Sequence, residues 1–247
     1  MQTIPLLDTP LLAATYQEGI DLIRQLAKDD RPHAVAFANT HLVALAKTDP
    51  SFRATLNQFS AIFPDGQPLV KLLNKNNAGL QERVYGPTFM QLATEQLSRP
   101  LRHFFVGGDP QTSYLLQAAL LRKNPELSLC GTLYPPFKPW GPDDVARHSK
   151  TIANQNPDFI WVALGGGNQE RWIAAARPHF KHGVLLGVGN AFKLLSGEEK
   201  FAPQWMQKHC LTWFYRTLQS PKLIPRYLKF NSLFLLLALQ DHRKTKH

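Results

Sequence analysis

Short apolar runs recur along the chain, each bounded by Gly, Pro, Asn or Asp: His33–Asn39, Phe59–Phe63, His103–Val106, Leu127–Leu133, Phe159–Leu164 and Val184–Val188. Runs of this length and composition between turn formers read as strands. Between them, apolar positions fall three and four apart, as in Leu42, Leu45 and Ala46 or in Leu115, Leu116, Ala119 and Leu120, which places them on one side of a helix. Strand and helix in alternation predict an α/β fold: a doubly wound, mostly parallel, Rossmann-like sheet flanked by helices. Towards the C-terminus the pattern changes to aromatic and aliphatic residues interleaved with Lys and Arg. The expected division is an α/β core over 1–200 and a basic, apolar-rich helical appendage over 201–247.

Composition supports a folded protein and narrows its partners. With 247 residues, 44% hydrophobic and 19% charged, the chain is long and apolar enough to bury a full core. A formal charge of +10 favours an anionic partner: nucleic acid, an acidic lipid surface or a diphosphate. Cys130 and Cys210 are far apart, against a disulfide framework or a thiolate zinc site, and the expected setting is a reducing cytoplasm. The first residues carry no basic leader, and Asp8 and Pro10 interrupt their apolar run, so they do not read as a secretory signal. The longest apolar stretch, Leu233 to Leu239, falls far short of the ~20 residues that span a bilayer.

The candidate chemistry lies where strands end. Phe104-Phe105-Val106 runs into Gly107-Gly108-Asp109-Pro110: two glycines, an Asp suited to cap a helix and a Pro suited to its first position. A free helix N-terminus there would hold an anion, with a plain tight turn as the competing reading. Gly187-Val188-Gly189 begins like a dinucleotide fingerprint but lacks the third glycine and the acidic residue ~20 positions on, which ranks a nicotinamide enzyme low. Its glycines suit close backbone approach to a ligand, or ordinary turn packing. Pro64-Asp65-Gly66 is a favoured turn sequence. Because it follows the apolar Ala61-Ile62-Phe63, however, the Asp65 carboxylate would stand at the rim of a sheet crevice, able to take a proton from a hydroxyl if burial lifts its pKa. After Gly165-Gly166-Gly167, Gln169 and Glu170 either open a helix, where acid favours the dipole, or serve a ligand, Gln169 bonding a sugar or base and Glu170 orienting it from behind.

Taken in order, Asn39, Phe63-Pro64-Asp65-Gly66, Arg83-Val84-Tyr85-Gly86, Phe105-Val106-Gly107-Gly108, Asn124-Pro125, Gln169-Glu170, Gly187-Val188-Gly189, Ala202-Pro203, Trp213-Phe214-Tyr215-Arg216 and Arg226-Tyr227 resemble the WecG/TagA/CpsF glycosyltransferase family. The resemblance implies an α/β fold with a C-terminal appendage, and inverting transfer of a sugar from a UDP-sugar to a polyprenyl-diphosphate-linked acceptor in bacterial cell-surface polysaccharide synthesis. It makes Asp65 the general base. With the readings above, Asn39, Arg83, Gly107, Gly108, Gln169, Glu170, Gly187 and Gly189 become candidates for UDP-sugar binding, and Arg216 and Arg226 for the diphosphates. No metal or cofactor is expected: the family resemblance implies metal independence, and the chain has no Asp-x-Asp triplet to hold Mg²⁺ against a nucleotide diphosphate.

The chain departs from the family pattern at Phe37, Thr88, Tyr134-Pro135-Pro136-Phe137, Lys193, Phe201 and Thr212. Lys193, where an aspartate is usual, exchanges an acceptor of ribose hydroxyl protons for a cation. A non-catalytic nucleotide- or sugar-binding protein of the same fold is therefore the alternative. Nucleic-acid binding ranks behind both, because the basic residues are scattered and no recognised motif appears. In the C-terminal part, Trp205, Trp213, Phe214, Tyr227 and Leu235 alternate with Lys208, Arg216, Lys222, Arg226 and Lys229, as suits an anionic membrane surface, or equally two helices packed on the core. The expected location is cytoplasmic, peripheral to the inner face of the cell membrane, with Arg243-Lys244-Thr245-Lys246 as a solvated basic tail. Association into a homo-oligomer stays open.

Overall fold

A computed structural model describes residues 1–75, 78–136 and 140–244, with side chains to residue 240; Phe137 and the basic tail from Arg243 lie outside the described side chains. The chain opens with an antiparallel hairpin, β1 (Gln2–Leu6) and β2 (Thr9–Ala13), around a two-residue turn in which Leu7 and Asp8 both have positive φ. Then follow α1 (Tyr16–Leu26), β3 (His33–Ala38), α2 (Thr40–Thr48), α3 (Pro50–Leu56), β4 (Ala61–Pro64), α4 (Gln67–Lys75), α5 (Gly86–Gln96), β5 (Arg102–Gly107), α6 (Pro110–Lys123), β6 (Ser128–Leu133), α7 (Pro142–Ala153), β7 (Phe159–Ala163), α8 (Asn168–Ala176), β8 (Val184–Gly187), α9 (Ala191–Ser196), α10 (Gln204–Lys208), α11 (Thr212–Gln219) and α12 (Ile224–Lys244).

The last six strands form one parallel sheet in the order β4-β3-β8-β7-β5-β6. All six expected strands are present, with ends shifted by a residue or two where a cap takes over: Asn39 leaves β3 to cap α2. Because strand side chains alternate between faces, Val35, Phe37, Phe105, Phe159, Trp161 and Leu186 pack under α1, α5, α6 and α9. Their neighbours Ala34, Ala36, Phe104, Val106, Ile160, Val162 and Leu185 face the opposite layer of α2, α3, α7 and α8. Strands covered on both faces read as continuous apolar runs, which is why the sequence marked them so clearly.

The hairpin went unread because its turn, Leu7-Asp8, is not the usual Asn-Gly or Asp-Gly pair, and two prolines sit in its short strands. Pro5 faces Pro10, a pairing available only where neither residue must donate to the ladder. Ile4, Leu6, Leu7 and Leu11 are buried with the α2 layer, and this burial offsets the strained turn.

At the other end of the chain, α12 lies along α2. Phe234 is buried in the α2 layer, Thr40 Oγ1 donates to Asn231 Oδ1 at 2.9 Å, and the His41 and Phe230 rings meet edge to face at 4.1 Å. Among the described residues no helix is long and apolar enough to cross a membrane. The docked C-terminal helices stand over the carboxyl ends of β3 and β4, beside the crevice where an open α/β sheet binds its ligands.

Candidate active site

Two adjoining cavities open along that edge, of about 340 and 510 Å³. Asn39, His41, Asp65, Tyr85 and Arg216 line both. The smaller continues between Arg83, Pro68 and the C-terminal Trp213, Tyr227, Phe234 and Leu235, so its walls are mainly apolar. The larger runs across the ends of β5, β7 and β8, past Gly107, Gly108, Gln169, Gly187, Gly189, Lys193 and Arg226. All the sequence-derived candidates thus line one cavity or the other except Glu170, which lies fully buried behind Gln169.

A local tie brings Asp65 and Arg83 together. Asp65 N–H donates to Ala38 O at 2.8 Å as β4 leaves the sheet, and Val84 N–H donates to Pro64 O at 2.9 Å, which pins the loop before α5 against the same strand end. Arg83 is buried, its guanidinium 4.0 Å from the Tyr85 ring centroid and its Nη2 donating to Gln207 Oε1 at 3.0 Å. Gln207 in turn donates to Ala202 O, so α10 holds the arginine in place. Phe201 meets the Tyr85 ring edge-on.

Burial pushes the Asp65 carboxyl up to about 6, against the pull of Arg83, Arg216 and the Gly86 N–H, and leaves its Oδ1 without a hydrogen-bond partner. The same burial, aided by Asp65, drives the Tyr85 phenol up to about 12. His41, half-buried and within range of the Arg226 charge, is held down to about 4 and is neutral near pH 7. Asn39 Oδ1 caps α2, accepting from His41 N–H and Leu42 N–H, while its Nδ2 has no protein partner among the described residues.

Around β7 and β8 the hydrogen bonds are mostly internal. Gln169 donates through Nε2 to Gly187 O at 2.9 Å and Glu170 Oε1 at 2.7 Å, and its Oε1 accepts from Gly189 N–H at 3.1 Å. This leaves a single acceptor lone pair for a ligand. Glu170 also accepts from Gly167 N–H, and its burial pushes it up to about 7. The side chain thus clamps two glycine loops together. At the N-terminus of α6, where an anion site competed with a plain tight turn, Asp109 accepts from Gln111 N–H and Thr112 N–H, and its carboxylate would repel a phosphate there. Gly107 nevertheless has a strict steric reason to be glycine. Its φ is +113°, and a Cβ would lie 2.5 Å from Ala163 O. Gly107→Ala should destabilise the fold by about 2 kcal/mol, read as a fall of several degrees in Tm.

Three residues of the site were not among the candidates: Gln207, whose only signal is proximity to Arg83 across 124 positions, and His41 and Tyr85, which sit beside Asn39 and Arg83 in sequence but whose burial against the site is set by the fold. Lys193 lines the larger cavity as an exposed cation whose charge is felt by Asp109. Among the described residues no group of three His, Cys, Asp or Glu is placed to hold a metal ion.

Comparison with protein families matches residues 4–247 to the glycosyl transferase WecG/TagA/CpsF family. An N-acetylglucosaminyldiphosphoundecaprenol N-acetyl-beta-D-mannosaminyltransferase of Bacillus subtilis (strain 168) is 27% identical over 246 residues, covering 99% of this chain and 94% of the relative. Proteins of the same description from Staphylococcus aureus are similar: 28% identical over 216 residues in strain MW2 and 29% over 218 in strain MRSA252, each covering 86% of this chain and 82% of the relative.

Proposed function

The chain belongs to the glycosyl transferase WecG/TagA/CpsF family and is a glycosyltransferase; from that premise we propose that it moves a sugar from a UDP-sugar to a polyprenyl-diphosphate-linked acceptor, with inversion and with Asp65 as general base. One observation carries the reading: Asp65 stands at the junction of two cavities with different walls, one glycine-rich and polar, the other apolar. The first suits a nucleotide sugar, whose phosphates need close backbone approach. The second suits the sugar and first isoprene units of a lipid-linked acceptor, and its relatives' names describe an acceptor of that class, N-acetylglucosaminyldiphosphoundecaprenol.

In this reading the acceptor hydroxyl gives its proton to Asp65 and attacks the anomeric carbon as the bond to the UDP oxygen breaks on the opposite face. A carboxyl lifted to about 6 is ionised at pH 7 yet basic enough to take that proton. Arg216, which lines both cavities, offsets the charge that grows on the departing diphosphate, and the Arg83 charge, which also reaches Asp65, adds to it through space. Asp65 and Asp109 are the acidic residues lining the cavities, and Asp109 is occupied as a helix cap, which favours single displacement over a covalent intermediate.

We extend the proposal to a peripheral membrane location. Leu218, Leu228, Leu235, Leu236 and Leu239 are each about 60% exposed on α11 and α12, near Lys222 and Lys229. Such a surface rests on an anionic bilayer, where the acceptor's lipid tail is held.

The test is transfer of N-acetylmannosamine from its UDP donor to N-acetylglucosaminyl diphosphate carrying a short prenyl chain, measured from pH 4.5 to 9. A base with its pKa raised to about 6 must be ionised to act, so kcat/KM should be level above pH 7 and fall about tenfold per unit well below pH 6. Release of UDP without transfer to the acceptor, or a profile with no acid limb between about pH 5 and 7, would rule the reading out.

A further inference from the structure

Three buried polar atoms without hydrogen-bond partners belong to residues lining the smaller cavity: Asp65 Oδ1, Thr212 Oγ1 and Arg216 Nε. They are of complementary kind, one acceptor, one donor and one hydroxyl able to do either. Thr212 and Arg216 lie four residues apart in α11, on the same side of the helix. Thr212 is the first residue of α11, after the N-cap Leu211, so its hydroxyl is not in the capping position and stays unpaired. A cavity whose lining residues hold both an unpaired donor and an unpaired acceptor matches a solute with several hydroxyls, and a sugar is such a solute.

We propose that Thr212 is an acceptor-positioning residue: its hydroxyl bonds a sugar oxygen of the acceptor next to the hydroxyl that Asp65 deprotonates. The inference rests on the reading of Asp65 as base but concerns binding rather than proton transfer. Thr212 fixes the sugar ring from the α11 side, Asp65 meets the attacking hydroxyl from the sheet side, and the apolar wall of Trp213 and Tyr227 takes the face of the ring. The contact lowers the acceptor's KM and leaves donor binding alone.

The experiment uses the full chain and N-acetylglucosaminyl diphosphate on a short prenyl chain as probe, with binding followed by calorimetry. Thr212→Val keeps the shape and removes the hydroxyl; it should weaken acceptor binding about tenfold, raise acceptor KM by the same factor and leave the affinity for UDP within twofold. Thr212→Ser restores the hydroxyl and should bind within about threefold of the unaltered protein. The proposal is overturned if Thr212→Val binds the probe normally, if the serine variant is as weak as the valine one, if UDP binding falls in parallel, or if the unaltered protein shows no saturable binding of the probe. Repeating the comparison in an Asp65→Asn background separates the two ideas. Normal turnover by Asp65→Asn sinks the base assignment, while the valine-to-serine difference in acceptor affinity decides the role of Thr212 by itself.

Discussion

Asp65→Asn is expected to lower kcat by about a thousandfold while leaving UDP affinity nearly unchanged. The amide is isosteric with the carboxylate but cannot accept the proton, and a positioned general base is worth roughly 10²–10⁴ in rate. The remaining activity should lose its acid limb, because the group that titrated near pH 6 has gone. Stability moves the opposite way. A carboxyl whose pKa is raised on folding favours the folded state most below its unfolded pKa, and that advantage is lost as pH climbs through about 6. At pH 8 the buried carboxylate is therefore a burden, and Asp65→Asn should hold or raise Tm, by an amount corresponding to at most about 3 kcal/mol. Loss of activity together with a fall in Tm would point instead to a structural role for Asp65.

Arg216→Met should lower kcat/KM by about 10²–10³, the usual consequence of removing one charged donor from a site where negative charge develops. Its guanidinium lines both cavities, has an unpartnered Nε, and acts on Asp65 through space. Because that charge pulls the Asp65 pKa down, its removal should move the acid limb to higher pH as well as reducing the plateau. Arg216→Lys should restore the position of the limb better than the rate, since an ammonium supplies the charge without the planar fork. Arg226 serves as the contrast. Its charge bears on His41 rather than on Asp65, so Arg226→Met should weaken binding while leaving the limb where it is. An unshifted limb in Arg216→Met would show that its charge does not reach Asp65.

Much of this arrangement was legible from local pattern. Asp109 and Pro110 announced the start of α6 through their capping chemistry, and the caps of α2 and α3 by Asn39 and Asp49 obey the same local rules. The hairpin β1–β2 was missed because its signal depends on an atypical turn that burial of Leu7 rescues. At α6 the residue that marks the helix start also takes up its first N–H groups, which favours the tight-turn reading of Gly107-Gly108 over an anion site there. Gln169 was readable as a polar residue at a strand end, but not as a clamp, because its partners Gly187 and Gly189 come from the next strand in the sheet.

The sequence by itself determined the six strands of the parallel sheet, their alternation with helices and the inventory of reactive groups, since capping, helical spacing and side-chain chemistry are properties of neighbours along the chain. Only the tertiary structure decided which of those groups meet. The strand order that sets β3 beside β8, the Pro64–Val84 bond that delivers Arg83 to Asp65, and the reach of Gln207 over 124 positions to hold that arginine all come from contacts between distant segments. The reactivity of Asp65 belongs to the same class, because a carboxyl is lifted to about 6 by what surrounds it in space, and desolvation and through-space charge have no counterpart in residue order.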